Sequence, residues 1–365
     1  MSKTNNPAAD RIEFGASQIE EKIAHYPEDL HQPILWIAEY IRIELNSSLS
    51  RFMLVVNAAG VQGSQNTWYQ IITGKYFRNS KSHQNWIDAM RAIRDYVQHG
   101  ALANGKLPFI ETSTWHMVED YIDAMRAPEN ICRLGIVVSD TGTQKTCCLS
   151  QYAMRNNHGT TVRFEAPAKP VLNKLLYKWL ECYTPRKSFS NNAAAERELR
   201  VQLNSKKVVI IENAQRLYLP NRGANQELFS FIQEIQEDTG CIIILSWTRG
   251  FTRDFLAGSE RDFFEQFVGR VGGVDQILSL PEKMPVKDLR LIAKTLKIED
   301  VENALPILKE WAKAEGKCRV LFHKLQKAKR YAEAEGSDQI QIDHLEQASA
   351  KPQNSLDLNL IKKAS

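Results

Sequence analysis

Apolar positions along the chain follow three regimes. Between 33 and 97 they recur at helical spacing, as in Ile34, Ile37, Ile41 and Leu45. This predicts helices over 33–45, 50–59, 64–73 and 86–97, with Gly60 and Gly74 as breaks. Between 134 and 280 the pattern changes to short, mainly apolar runs at 134–138, 161–166, 207–211, 241–245 and 276–280. Amphipathic segments separate them after Lys145 and at 170–183, 192–204, 226–237 and 260–268. Apolar strands alternating with helices predict an α/β core with a parallel sheet covered on both faces. From 281 helical spacing returns, over 286–296, 301–314, 316–335 and 342–349.

These regimes set the expected organisation. Residues 1–32 are polar and read as a flexible arm or a short helix, and 33–99 as a small all-α domain. Gly100-Ala-Leu-Ala-Asn-Gly-Lys-Leu-Pro108 opens a linker over 100–111. The core is 112–280, entered by a helix over 112–125 that Thr112 or Ser113 caps. A helical lid over 281–350 and a tail over 351–365 follow, the tail carrying Leu356, Leu358 and Leu360 as a docking strip.

The first strand runs out into Ser139-Asp-Thr-Gly-Thr-Gln-Lys-Thr146, followed by a helix-compatible segment. Strand, tight turn, helix is the setting of a phosphate-binding loop, G-x-x-x-x-G-K-[ST]. Ser139 and Gln144 stand where that pattern has its glycines, while Gly142, Lys145 and Thr146 remain. Backbone N–H groups of 139–144 and the helix N-terminus suit phosphate oxygens. Lys145 suits the β and γ phosphates, and Thr146 a Mg²⁺ ion. Gln144 costs the freedom a glycine has at positive φ. An ordinary strand–turn–helix accounts for the same residues.

A second element is Val208-Val-Ile-Ile-Glu-Asn-Ala-Gln-Arg-Leu217. Four apolar residues and an acid is the plan of a Walker B strand. Glu212 takes the metal position and Asn213 the position of the catalytic acid. Asparagine cannot accept a proton, which puts hydrolysis at slow or absent. A plain buried strand fits this stretch as well. Ser246 and Thr248 follow the next apolar run, where a γ-phosphate sensor would sit. Arg270, or secondarily Arg261, is placed for a trans-acting finger, and Arg319 for closing over the phosphates; each also reads as a surface arginine.

Helix, glycine turn and short helix over 50–73 is the plan of a helix-turn-helix. Gln65, Asn66, Thr67 and Tyr69 would then face the major groove, with Lys75 and Arg78 on phosphates. A helical bundle without a nucleic-acid role is the competing reading. The basic segment 317–330 is a DNA-facing surface or, more simply, a solvated helix face.

Composition narrows the class without deciding it. With 365 residues, 43% hydrophobic and 25% charged, the chain suits a globular protein of two or three domains. A net charge of +4 permits nucleic acid as a partner without demanding it. The six cysteines (132, 147, 148, 182, 241, 318) form no C-x-x-C pair and read as free thiols of a reducing cytoplasm. No apolar run approaches the roughly 18–20 residues that span a bilayer, and the N-terminus has no apolar signal core.

Taken in order, a helix-turn-helix closing on Gly74-Lys-Tyr76, a phosphate-loop turn, Ile210-Ile-Glu-Asn-Ala-Gln-Arg-Leu217 and a helical lid resemble the AAA+ ATPases of transposition, the MuB and TnsC family. That family's usual run is Asp-Glu-Ala-Gln-Arg-Leu, so 214–217 match and 212–213 depart. The resemblance covers about 45–345 and implies an AAA+ P-loop core with ATP and Mg²⁺ as cofactors. It implies homo-oligomers, as rings or helical filaments, on double-stranded DNA, and a target-selecting role that activates a DDE transposase. Carried over, Lys145 and Thr146 hold phosphate and Mg²⁺, Glu212 supports the metal, Ser246 or Thr248 senses, Arg270 acts in trans and Arg319 closes the lid. A nucleotide-independent scaffold, and a helix-turn-helix regulator that oligomerises through its second domain, are the alternatives.

Overall fold

The computed structural model describes residues 11–45, 47–77, 83–99, 107–156, 160–183, 189–218, 225–257 and 261–350. Arg78, the tail with its three leucines and most of the expected linker lie outside the described residues. The chain divides into two compact units. The first comprises 1–101, 114–140 and 144–282, the second 102–113, 141–143 and 283–365.

The first unit opens with five helices: α1 (Ala16–Ile23), α2 (Glu28–Ile43), α3 (Leu49–Ala58), α4 (Gln65–Ile72) and α5 (Gln84–His99). Of the arm or short helix expected over 1–32, the described part forms helix, in α1 and the start of α2. Ile12, Ile19, Ile23, Tyr26 and Leu30 are buried in the helical core. From Ile19 on they recur every three to four residues, while the charged residues between them face outward. α2 starts five residues before Pro33, which sits inside it. Pro33 lies past the four N–H groups that lack intrahelical partners, so it forfeits the bond a residue there would make to the Asp29 carbonyl, and the packing of α2 offsets that loss.

These helices rest on the α/β core of the same unit. The Trp36 Nε1 donates to the Met154 carbonyl at 3.0 Å and Arg94 to the Arg155 carbonyl at 2.9 Å. Arg42 reaches the Glu181 carbonyl at 2.9 Å while pairing with buried Glu39 at 2.6 Å.

The core follows in order: α6 (Ser113–Arg126), β1 (Leu134–Ser139), α7 (Lys145–Arg155), β2 (Thr161–Glu165), α8 (Leu172–Leu180), α9 (Asn192–Gln202), β3 (Val208–Glu212), α10 (Asn225–Thr239), β4 (Ile242–Thr248), α11 (Arg249–Ala257), α12 (Arg261–Val271) and β5 (Leu278–Ser279). The strands form a parallel sheet in the order β2-β3-β4-β1-β5. Every residue of β1 and β3 is buried, as a sheet covered on both faces requires. Helix α11, following β4 without a break, was not anticipated.

The second unit is α13 (Val286–Thr295), α14 (Val301–Lys313), α15 (Cys318–Ala334) and α16 (Ile342–Ser349) around Leu289, Leu308, Trp311, Leu321 and Leu345. The described end of the expected linker belongs to it. Ile110 is buried in this core, and the Asp288 carboxylate accepts from the Ser113 backbone N–H at 3.1 Å and hydroxyl at 2.5 Å. Among the described residues no helix is long and apolar enough to cross a membrane.

Candidate functional site

The turn after β1 leaves the carboxyl edge of the sheet, where ligands of open parallel sheets bind. Ser139 is fully buried, and its hydroxyl donates to the Asp140 carbonyl at 3.0 Å. Gly142 has φ +81° and Gln144 φ +66°. Gln144 thus adopts the left-handed conformation that a glycine takes without cost. It is the residue preceding α7, and its carbonyl accepts the helix's first bond from the Cys148 N–H at 2.9 Å. Lys145 and Thr146 therefore open α7, where N–H groups have no intrahelical partner. The tip, Thr141–Thr143, is part of the second unit. There the Cys318 N–H donates to the Gly142 carbonyl at 2.9 Å, and a Cβ on Gly142 would lie 2.4 Å from the Gly316 carbonyl. Only glycine fits at 142.

The Lys145 ammonium donates to the Trp247 carbonyl at the end of β4. Burial pulls this amine down to about 8, and the negative charges of Glu212 and Asp140 oppose the fall. Thr146 is exposed.

Glu212 closes β3 at 1% exposure and accepts from Arg163 NH1 of β2 at 2.5 Å. Asn213 follows at φ +54° and caps a short 3₁₀ turn, Ala214–Leu217. The four residues shared with the transposition ATPases have structural work of their own. Ala214 and Leu217 are fully buried, and Arg216 ties the end of β2 through Glu165 at 2.9 Å and the Ala166 carbonyl at 3.2 Å.

Ser246 lies inside β4 beside Val137, its hydroxyl buried and without a partner among the described residues. Thr248, half-buried at the strand end, is closer to the open edge of the sheet. Arg270 is half-exposed on α12 and forms an ion pair with Glu237 of α10. Arg319 is exposed in the second unit. Arg163 and Arg249, which donates to the Leu280 carbonyl at 2.9 Å, were missed as site residues. The available signal for Arg163 was an arginine inside an apolar strand, since such a side chain needs a buried anion.

α3 and α4 form the expected pair, joined through Gly60 and Gly63, both at positive φ. Asn66 and Lys75 are exposed. Thr67 is engaged with the helix cap, its N–H and hydroxyl meeting Ser64 Oγ at 3.1 and 2.8 Å. Tyr69 packs against the helical core and Gln65 is half-buried.

The residues present fit a triphosphate: left-handed backbone at 142 and 144, a helix N-terminus, and a half-buried amine at its start. They fit Mg²⁺ less well. Glu212 is already paired with Arg163, and no group of three or more His, Cys, Asp or Glu side chains among the described residues is placed to hold a metal ion.

Residues 130–255, from just before β1 to α11, match the family described as AAA domain. Across 287 residues the chain is 23% identical to the ATP-dependent target DNA activator B of Escherichia phage D108, covering 78% of this chain and 84% of that protein. The activator B of Escherichia phage Mu matches at the same identity and coverage. The chain resembles these MuB-type target DNA activators and carries an AAA domain. Its fold is the α/β P-loop fold of that class, carried by the five parallel strands in the order above. The MuB-like chain is also similar to two solved structures. ORC1 of Aeropyrum pernix in complex with DNA has a TM-score of 0.46 at 15% identity, over 65% of this chain and 64% of that one, just under two thirds of its length. The RuvB Holliday junction branch migration motor of Thermotoga maritima has a TM-score of 0.42 at 16% identity, over 64% of this chain and 67% of that one.

Proposed function

We propose that this chain binds ATP at the 139–146 turn, assembles as a homo-oligomer on double-stranded DNA, and selects target DNA for a DDE transposase while hydrolysing ATP slowly or not at all. The observation that carries the reading is the backbone at Gln144, which keeps a left-handed, phosphate-loop conformation at φ +66° although the glycine is gone. Holding a bulky residue there costs about 1–3 kcal/mol, a cost that persists where the shape is needed. The likeness to target DNA activators along most of both chains supports the partner class.

In this reading the Lys145 amine leaves the Trp247 carbonyl to meet β and γ phosphate oxygens, and the first N–H groups of α7 meet the remainder. Thr146 is the residue left to meet Mg²⁺, which when bound with ATP neutralises charge between the phosphates. Asn213 supplies no base, a loss of ~10²–10⁴-fold in rate. Subunits then stay on DNA as a long-lived clamp. Asn66 and Lys75, exposed on and after α4, are the residues assigned to DNA. Arg270 reaches a neighbouring subunit only by leaving Glu237.

The test is an ATP-dependent thermal shift, abolished by Lys145→Ala, together with electron microscopy on duplex DNA. Coating of duplex with ATP and none with Lys145→Ala is the expected result. Absence of DNA binding with or without ATP ends the reading. The pairing of Lys145 with a carbonyl and of Glu212 with Arg163 favours one competitor, a scaffold indifferent to nucleotide. That competitor binds DNA equally well without ATP.

A further inference from the structure

The carboxyl edge of β2 and β3 sets two acids side by side, since Glu165 and Glu212 are direct partners in the parallel register. Adjacent carboxylates on one face repel unless a cation neutralises them. A divalent metal between them is one solution. This chain uses another: Arg163, two residues before Glu165 on the same face, takes Glu212 at 2.5 Å, and Arg216 takes Glu165 at 2.9 Å. Arg163 is paired with Ile210 in register, so its side chain spans the diagonal to Glu212. The Arg163–Glu212 pair is the buried one, at 27% and 2% side-chain exposure, and it lies within electrostatic reach of Lys145.

A metal ion that used Glu212 would have to displace a guanidinium held on the neighbouring strand. It would also add a double positive charge beside Arg163 and Lys145. With the turn holding a nucleoside triphosphate as proposed above, we infer that Arg163 stands in for the metal at Glu212, so that the affinity for ATP does not depend on Mg²⁺. Arg163 is a positioning residue here: it acts on the nucleotide site through Glu212. The counter-charge is built into the sheet and cannot be removed by chelation.

The experiment is calorimetric titration of ATP into the full chain in excess Mg²⁺ and in excess EDTA. Affinities within about twofold of each other are expected, a difference too small to register as a bound divalent ligand. A loss of about tenfold or more in EDTA overturns the inference and leaves ATP binding standing. Absence of ATP binding in both media overturns the nucleotide reading itself. Arg163→Gln, checked for native circular dichroism, frees Glu212 and is expected to make binding Mg²⁺-dependent by about tenfold, the scale of removing a ligand's supporting partner. Arg163→Lys keeps the charge, and it retains metal independence even where the glutamine variant does not fold. Metal-independent binding by folded Arg163→Gln, or metal dependence in Arg163→Lys, removes the role assigned to this residue.

Discussion

Gln144 and Lys145 stand next to each other under opposite constraints. Gln144 holds φ +66°, where a side chain crowds its own backbone. Gln144→Gly relieves that crowding and is expected to stabilise the chain by about 1 kcal/mol in urea denaturation, part of the gain being returned as chain entropy. Lys145 is pulled down from 10.5 to about 8 by burial, against the pull of Glu212 and Asp140. Between those two values the unfolded chain binds more protons than the folded one, so folded stability rises with pH across that window. ATP affinity runs the other way, because phosphate needs the ammonium. Calorimetry is expected to give weaker ATP binding as pH rises above about 8, and Lys145→Ala to remove that dependence. The place of Lys145 and Thr146 at the start of a helix was legible from spacing alone. Arg163 was not, because its partner lies 49 residues further along the chain and meets it only across the sheet.

Strands were more legible than the helices around them. The apolar runs at 134–138 and 207–211 correspond within one residue to β1 and β3, since a strand buried on both faces is apolar along nearly its whole length, here up to the terminal Ser139 and Glu212. Helix α1 was legible only as an alternative to a loose arm, because its core face is narrow and its outer face strongly charged. Helix α11 was missed because no turn residue separates it from β4. Among the helices α2 carries the largest double load, packing its own domain with Ile34 and Ile41 and the α/β core with Trp36 and Arg42. The Arg42–Glu39 pair has side-chain exposures of 5% and 1%. Arg42→Ala leaves Glu39 buried without a counter-ion, an expected loss of about 3–5 kcal/mol in denaturation experiments. Replacing both residues with apolar ones of similar volume is expected to recover most of it.

At the scale of the molecule, the helical domain is fastened to the core through Trp36, Arg42 and Arg94, so that α4 is presented from a fixed base within the first unit. Lys75 follows α4, exposed. If it holds a phosphate of duplex DNA, Lys75→Ala weakens binding alike on all sequences. It then also lowers the slope of log affinity against log salt by about 1. An unchanged slope removes Lys75 from the interface.

The alternation of apolar runs with amphipathic segments determined the strands, their parallel pairing and the place of the 139–146 turn at a strand end. Those features depend on neighbours within a few residues, and a local pattern records them. The order β2-β3-β4-β1-β5, the docking of the first helices and the pairing of Arg163 with Glu212 were decided by the tertiary structure. Each joins residues far apart in the chain, and the buried charge of Glu212 acquires its counter-ion only when β2 is laid beside β3.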